Sequence, residues 1–217
     1  NQNIFLSLPS YAFSFWLPER AISSYTENLR VVDISTPVQG LATGENTRFL
    51  RDWFEVDIDY IGFGLNSVEE AHSYSYKYFP YNKGGAYKKW YGNKTYIIKF
   101  DKKNAEILSK QGNKLPSSQF YFNTSITWSK VTMAGLAFRY FDGGALFDVS
   151  GCSIFAEEKT LLSLMGLFNS SLREVFVYSF SQSVNYEVGL IKSVPIKDLS
   201  PKLITINEKV NIAISIS

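Results

Sequence analysis

Apolar and polar positions alternate along this chain on two different periods, and the periods place its elements. After Pro18, the residues Ala21, Ile22, Tyr25 and Leu29 recur at helical spacing, which predicts a short helix with proline in its first turn. Val31 to Ile34 reads as a short strand. A turn at Thr43-Gly44-Glu45-Asn46 leads into the i,i+4 pairs Phe49/Trp53 and Leu50/Phe54, which predict a helical turn. Ser67-Val68-Glu69-Glu70 matches a capping box and starts a helix near Val68. Pro80 and Gly84-Gly85 mark a loop. Tyr96, Ile98 and Phe100 alternate as a strand, and Asn104 to Lys110 is a short helix closed by Gly112.

Farther on, Ile126 to Trp128 and Ala137 to Phe141 read as strands around Gly135. A turn at Gly143-Gly144 precedes a strand over Leu146 to Phe155. Leu161, Leu164, Met165 and Phe168 return to helical spacing, as do Leu172, Val175 and Phe176 after a break at Asn169-Ser170-Ser171. Strands mixed with short helices predict an α+β fold, or α/β with a mixed twisted sheet. No internal repeat, low-complexity tract or linker interrupts the chain.

Composition adds bounds. The 217 residues suffice for one packed domain, or a domain with an appendage. With 45% hydrophobic and 19% charged residues, the chain is globular rather than disordered. Aromatics reach 16%, which suits either pleated strands or stacking on bases or sugars. The sequence opens on Asn1 and stops within an apolar stretch, so we expect a segment of a longer protein. Cys152 stands alone, so no internal disulfide can form, in keeping with a reducing cytoplasm. No apolar run reaches bilayer-spanning length and no signal peptide is recognisable.

The net charge of +2 conceals a polarised chain. Residues 1–76 carry −6, residues 77–103 carry eight Lys against Asp101 for +7, and residues 104–217 carry +1. Such a block is either a solvated lysine face or the footprint of a polyanion.

Catalytic constellations are missing. His72, the only histidine, follows two glutamates on a predicted helix and reads as an ordinary exposed residue. Cys152 reads as core, Asp57 and Asp59 as a solvated face, and Gly62-Phe63-Gly64 as a loop or bulge. No phosphate loop or zinc spacing occurs.

Binding chemistry is better represented. The stretch Tyr81 to Gly92 interleaves cations, glycines and aromatics. Lys83, Lys88 and Lys89 can neutralise phosphates, Gly84 and Gly85 admit close backbone approach, and Trp90 and Tyr91 can stack or pack. Sugars or anionic lipids could use similar residues. Thr43, Asn46, Arg48 and Arg51 form a second group, whose amide and guanidinium types read adenine and guanine edges. Equally, Asn46 could cap a helix and the arginines could pair with Glu45, Asp52 or Glu55. Ser129, Lys130 and Arg139 flank the later strands, each as surface or as contact.

Several segments, in order, carry a resemblance. Gln39-Gly40-Leu41-Ala42-Thr43-Gly44-Glu45-Asn46-Thr47-Arg48-Phe49-Leu50-Arg51-Asp52-Trp53 is similar to a G-x-x-T-G-x-N-x-x-F-x-R-x-W signature. Asn82-Lys83-Gly84-Gly85 through Lys89-Trp90-Tyr91-Gly92, then Ile126-Thr127-Trp128-Ser129-Lys130, Phe138-Arg139-Tyr140-Phe141 and Phe147 to Phe155 come next in the expected order. Phe168-Asn169-Ser170 and Asn185-Tyr186-Glu187-Val188-Gly189 through Val194-Pro195-Ile196 complete the pattern. From about Leu8 to its end the chain resembles the target-recognition region of BREX-type (PglX-like) adenine-specific DNA methyltransferases, related to specificity domains of restriction–modification enzymes.

The family's catalytic domain carries an S-adenosylmethionine glycine loop and an Asn-Pro-Pro-Tyr motif, and neither occurs here. The resemblance therefore implies no catalytic residue, metal or cofactor in this segment, with S-adenosylmethionine used by the parent's catalytic domain. It implies a DNA-recognition domain over 1–180 and a closing segment over 181–217. The implied setting is phage defence in a bacterial or archaeal cytoplasm. The implied partners are double-stranded DNA, the parent's catalytic domain, other BREX components and DNA-mimicking phage inhibitors, with no membrane. On this reading Thr43, Asn46, Arg48, Arg51, Lys83, Gly84, Gly85, Lys88, Lys89, Trp90, Tyr91, Ser129, Lys130 and Arg139 contact DNA. The alternative is a carbohydrate- or peptide-binding module using an aromatic surface.

Overall fold

A computed structural model describes residues 8, 17–181, 184–197 and 202–217. The architecture is α+β, with two four-stranded sheets that meet along a polar seam. A minor antiparallel pair joins β1 (Leu29–Arg30) to β10 (Pro195–Ile196), next in sequence to α1 (Glu19–Glu27) and α7 (Val188–Ser193).

The first large sheet has the order β2 (Thr36–Val38), β9 (Gly151–Phe155), β6 (Ser125–Ser129), β7 (Phe138–Phe141), all antiparallel. Period-two alternation sends Ile126, Trp128, Phe138, Cys152 and Ile154 to one face. That face packs on α6 (Glu158–Asn169), whose Leu161, Leu164, Met165 and Phe168 recur on one stripe. Phe138 stacks at 4.3 Å on Phe168 and at 5.4 Å on Trp128. Each such buried side chain contributes about 1.5–3 kcal/mol relative to leaving it in water. On the far side of α6 lies α8 (Leu203–Ser215), and a Cβ at Gly166 would stand 3.2 Å from both Ile206 and Val210. The closing segment belongs to this core. Tyr186, Ile191, Val194 and Ile196 are buried with it, and Trp128 Nε1 donates to the Tyr186 carbonyl at 2.9 Å.

The second large sheet has the order β3 (Leu50–Asp52), β5 (Tyr96–Lys99), β4 (Tyr78–Asn82), β8 (Leu146–Phe147), with only β4–β8 parallel. Its core joins Phe49, Phe79, Tyr81, Ile98 and Phe100 to α4 (Val68–Ser73) and α5 (Lys102–Lys110). α4 starts where expected, with the Ser67 hydroxyl accepting from the Glu70 N–H at 3.0 Å, but the capping box is only half formed, because the Glu70 carboxylate accepts from the Asn66 N–H rather than from Ser67.

Several local expectations are corrected. Val31–Ile34 is a helical turn, α2, held where Arg30 and Asp33 satisfy each other. The helical turn after Asn46 is only α3 (Asn46–Phe49), because Leu50–Asp52 pairs with β5. Pro80 lies inside β4 rather than in a loop. The neighbour β8 reaches only Tyr81 and Asn82, so Pro80 sits at a local edge where a missing N–H is tolerated. Leu146 to Phe155 divides into β8 and β9 around a turn at Asp148. The apolar pairs beyond the break become one π-helical turn, Glu174–Tyr178.

The outer edge of β7 is covered without another strand. The Asn169 side chain accepts from the Phe138 N–H and donates to the Phe138 carbonyl, both at 2.9 Å. Trp90 extends the cover, donating its N–H to the Phe138 carbonyl and accepting from Tyr140 N–H. Asn169→Ala should therefore cost about 1–3 kcal/mol in a denaturant melt, the loss expected when buried backbone groups lose a partner. Asn169→Asp, which keeps one acceptor and loses the donor, should not restore it.

Candidate nucleic-acid interface

The residues singled out in the sequence fall into two places with different electrostatics. The first is the seam between the sheets. Asp148 is fully buried, and its Oδ2 accepts from Tyr81 Oη at 2.6 Å and Lys83 Nζ at 2.7 Å, while Oδ1 accepts from Ser150 N–H at 2.7 Å. Asn82 Nδ2 donates to the Gly151 carbonyl, and the Asn82 Oδ1 accepts from Gly84 N–H. Gly84 has φ +84°, and a Cβ there would stand 2.9 Å from the Ser150 carbonyl oxygen. Ser129 Oγ donates to the Gly85 carbonyl at 2.9 Å and accepts from Arg139 Nη2 at 3.2 Å.

Arg139 is 1% exposed, and burial lowers its guanidinium pKa to about 10. Among the described residues, its Nε has no hydrogen-bond partner. Its surroundings are equally closed, because Ser129 and Thr127 are also buried. Lys89 Nζ donates to the Asn169 carbonyl at 3.2 Å, Lys130 pairs with Glu187 at 3.0 Å, and Trp90 is the edge cover already described. Tyr91 Oη accepts from Lys94, which also pairs with Asp142. Of this group, Gly85 and Lys88 are exposed. The glycine–lysine stretch thus works here as internal structure, with most of its cations spent on partners within the fold.

The second place is a groove of about 720 Å³ whose lining includes Arg48, Lys77, Lys99, Lys102 and Lys103. Topology gathers them. β5 runs antiparallel to both β3 and β4, so its last residues lie beside the first residues of its neighbours. Arg48 precedes β3, Lys77 precedes β4, Lys99 ends β5, and Lys102 and Lys103 open α5. Only Arg48 has an ion-pair partner among the described residues, an exposed contact to Glu45 at 3.7 Å. The carboxylate within the lining, Asp101, caps α5 by accepting from Asn104 N–H. Tyr74 and Tyr76 stand at the rim with rings 5.6 Å apart.

Neither Thr43 nor Asn46 lines this groove, and the Thr43 carbonyl accepts from Gln111 Nε2 at the C-terminal end of α5. Thr43 Oγ1 donates to Asn46 Oδ1 at 2.5 Å, with Thr43 buried and Asn46 exposed. Arg51 Nη1 donates to the Thr47 and Leu50 carbonyls. His72, expected to be an ordinary exposed residue, is half-buried. Its Nε2 lies 3.0 Å from the Phe100 carbonyl oxygen and its ring stacks on Phe100.

Lys77, Lys99, Lys102 and Lys103 were inside the +7 block but in no motif. The available signal was that Lys99, Lys102 and Lys103 lie at the junction of a predicted strand and a predicted helix; no element was expected beside Lys77, and only strand pairing brings it next to them. No group of metal-ligating side chains and no bilayer-length apolar helix occurs among the described residues.

No family model matches the chain. It is 31% identical over 227 residues to the adenine-specific methyltransferase PglX of Lacticaseibacillus casei (strain Zhang), covering 95% of this chain and 18% of that protein. It is also 31% identical over 218 residues to the adenine-specific methyltransferase BrxX of Escherichia coli O9:H4 (strain HS), covering 95% of this chain and 17% of that protein. The chain is homologous to a segment of the PglX and BrxX methyltransferases. It spans less than a fifth of the length of these relatives.

The two environments of this PglX/BrxX-like segment separate by mutation. Lys83→Ala should cost about 3 kcal/mol, the low end for breaking a buried pair, because the lysine keeps a quarter of its side chain in solvent. Lys88→Ala should stay within about 0.5 kcal/mol. Urea denaturation of the two variants checks both.

Burial pushes the Cys152 thiol up to about 12. The folded thiol keeps its proton where an unfolded one, near 8.5, has lost it, so this group's contribution to stability is intact at neutral pH. That contribution declines as pH rises from about 9 towards 12. Iodoacetamide at pH about 8 should leave native Cys152 unlabelled and label it fully in denaturant.

Proposed function

We propose that this chain is the DNA target-recognition region of a BREX-type adenine-specific methyltransferase. It docks on double-stranded DNA, reads a short site and thereby positions one adenine for the parent's catalytic domain, which flips that base from the stack. The observation that carries the reading is the groove of five cations, four of them without an ion-pair partner among the described residues. Homology to adenine-specific methyltransferases supplies the context. In this reading methyl transfer and S-adenosylmethionine binding belong to the rest of the parent.

The contacts divide by chemistry. Lys77, Lys99, Lys102 and Lys103 serve phosphates, because flexible ammonium groups neutralise charge without reading sequence. Arg48 and Asn46, exposed on the turn beside them, are the candidates for base edges, since their guanidinium and amide groups match guanine and adenine. Arg139, Ser129 and Lys83 act behind the surface by fixing the loops. Lys88 remains as an exposed phosphate candidate outside the groove.

A salt titration of duplex DNA binding tests the reading. Neutralising about 5 phosphates gives a slope of log K on log salt near −4.5, and a loss of roughly 500-fold between about 50 and 200 mM. Replacing Lys77, Lys99, Lys102 and Lys103 together by Gln should bring the slope close to −1. A slope near zero for the unaltered chain rejects the proposal. Methylome sequencing of cells carrying the parent, with this region native or exchanged, tests specificity: the methylated motif should change with the region. Arg48→Ala should relax one position of that motif and cost about 1–3 kcal/mol.

A further inference from the structure

A second exposed surface has the opposite charge. Between positions 52 and 76 the sequence contains six carboxylates and no Lys or Arg. Within that stretch, Trp53, Phe54, Ile58, Tyr60 and Phe63 are each exposed by 46–65%. Glu55, Asp57 and Asp59 stand between them, exposed and with no ion pair among the described residues. Single exposed apolar residues are ordinary, but five within eleven positions of one segment, with the Trp53 and Phe54 rings 5.9 Å apart, form a ridge that concentrates exposed apolar surface of the kind found at interaction sites.

The ridge is held rather than loose. Trp53 N–H donates to the Thr95 carbonyl at 2.9 Å, Gly62 N–H to the Tyr78 carbonyl at 2.9 Å, and Lys77 N–H to the Tyr60 carbonyl at 3.0 Å. Asp52 N–H is taken by the Glu55 carboxylate and Asp59 N–H by the Asp57 carboxylate, which stiffens the two 3₁₀ turns Trp53–Glu55 and Ile58–Tyr60. Its side chains are therefore presented on a fixed backbone, which lowers the ordering cost of association.

We propose that this acidic aromatic ridge is a docking surface for a protein face carrying Lys and Arg around an apolar centre. The carboxylates, which have no ion pair among the described residues, select that occupant. They repel the phosphates of a nucleic acid and the headgroups of an anionic membrane, and they complement cations at the rim of an apolar protein patch. Trp53 and Phe54 are the anchors, aromatic groups of the kind that dominate protein interfaces.

Carbodiimide cross-linking of the full-length parent protein tests this, using protein purified from its own cells after nuclease digestion. Carboxylates in contact with lysine become isopeptides, which mass spectrometry locates. The Lys130–Glu187 pair, 3.0 Å apart, is the internal control. The proposal expects isopeptides from Glu55, Asp57 or Asp59 to lysines outside this chain, with a yield about tenfold lower in Phe54→Ser. It is overturned if the control forms and the ridge does not react. It is equally overturned if the ridge reacts only with Lys77 or with lysines of a second copy of this chain, or if Phe54→Ser leaves the yield unchanged.

Discussion

One carboxylate that reaches no water joins the two halves of this fold. Asp148 lies in the turn between β8 of one sheet and β9 of the other, and it accepts three hydrogen bonds, from Tyr81, Lys83 and the Ser150 backbone. A buried carboxylate is tolerable only when it is paired and its lone pairs are occupied, so its partners are constrained as strongly as it is. The constraint spreads outward. Asp148 N–H donates to the Asn82 carbonyl, Val149 N–H to the Leu41 carbonyl, and Gly40 N–H to the Asp148 carbonyl. The Tyr81 hydroxyl oxygen also lies 3.2 Å from the Leu41 carbonyl oxygen, and burial together with the adjacent carboxylate pushes its phenol well above the ordinary range. Stretches that are far apart in sequence thus converge on a single side chain.

This node explains what was legible in the sequence and what was not. Elements with long apolar periods or a local cap were readable: the stripe of α6, the alternation of β5, β6 and β7, and the Ser67 N-cap of α4. Each depends on contacts its own spacing declares. Short segments were misread where a distant partner or a local side-chain closure decides. Val31–Ile34 has strand-like residues, yet Arg30 and Asp33 close it as a helical turn. Leu50 and Phe54 stand at helical spacing, yet β5 captures Leu50–Asp52 as a strand. The α+β class survives these errors because the number and mixture of elements fix it, rather than any one boundary.

The candidate site was legible in charge and illegible in place. Lys83 and Lys102 have the same side chain in the same basic block, but one closes a buried ion pair with a residue 65 positions away and the other opens a helix at a groove. Composition cannot distinguish an ammonium spent inside the fold from one left at the surface. Only pairing partners do, and those are tertiary. Similarly, Arg139 resembled a contact residue because arginines often are, while its position in β7 turns it into the seam between the sheets.

The groove and the ridge also meet. Lys77 belongs to the groove, and its ammonium stands 4.7 Å from the ring centroid of Tyr60 on the ridge. The positive and negative surfaces are thereby neighbours rather than scattered charges, and a net charge of only +2 conceals a local electric dipole. A dipole exerts torque on any charged body before contact is made. A rod-shaped polyanion approaching this end of the molecule is drawn to one side and turned away from the other, so its orientation is biased while it is still within about a Debye length of the surface.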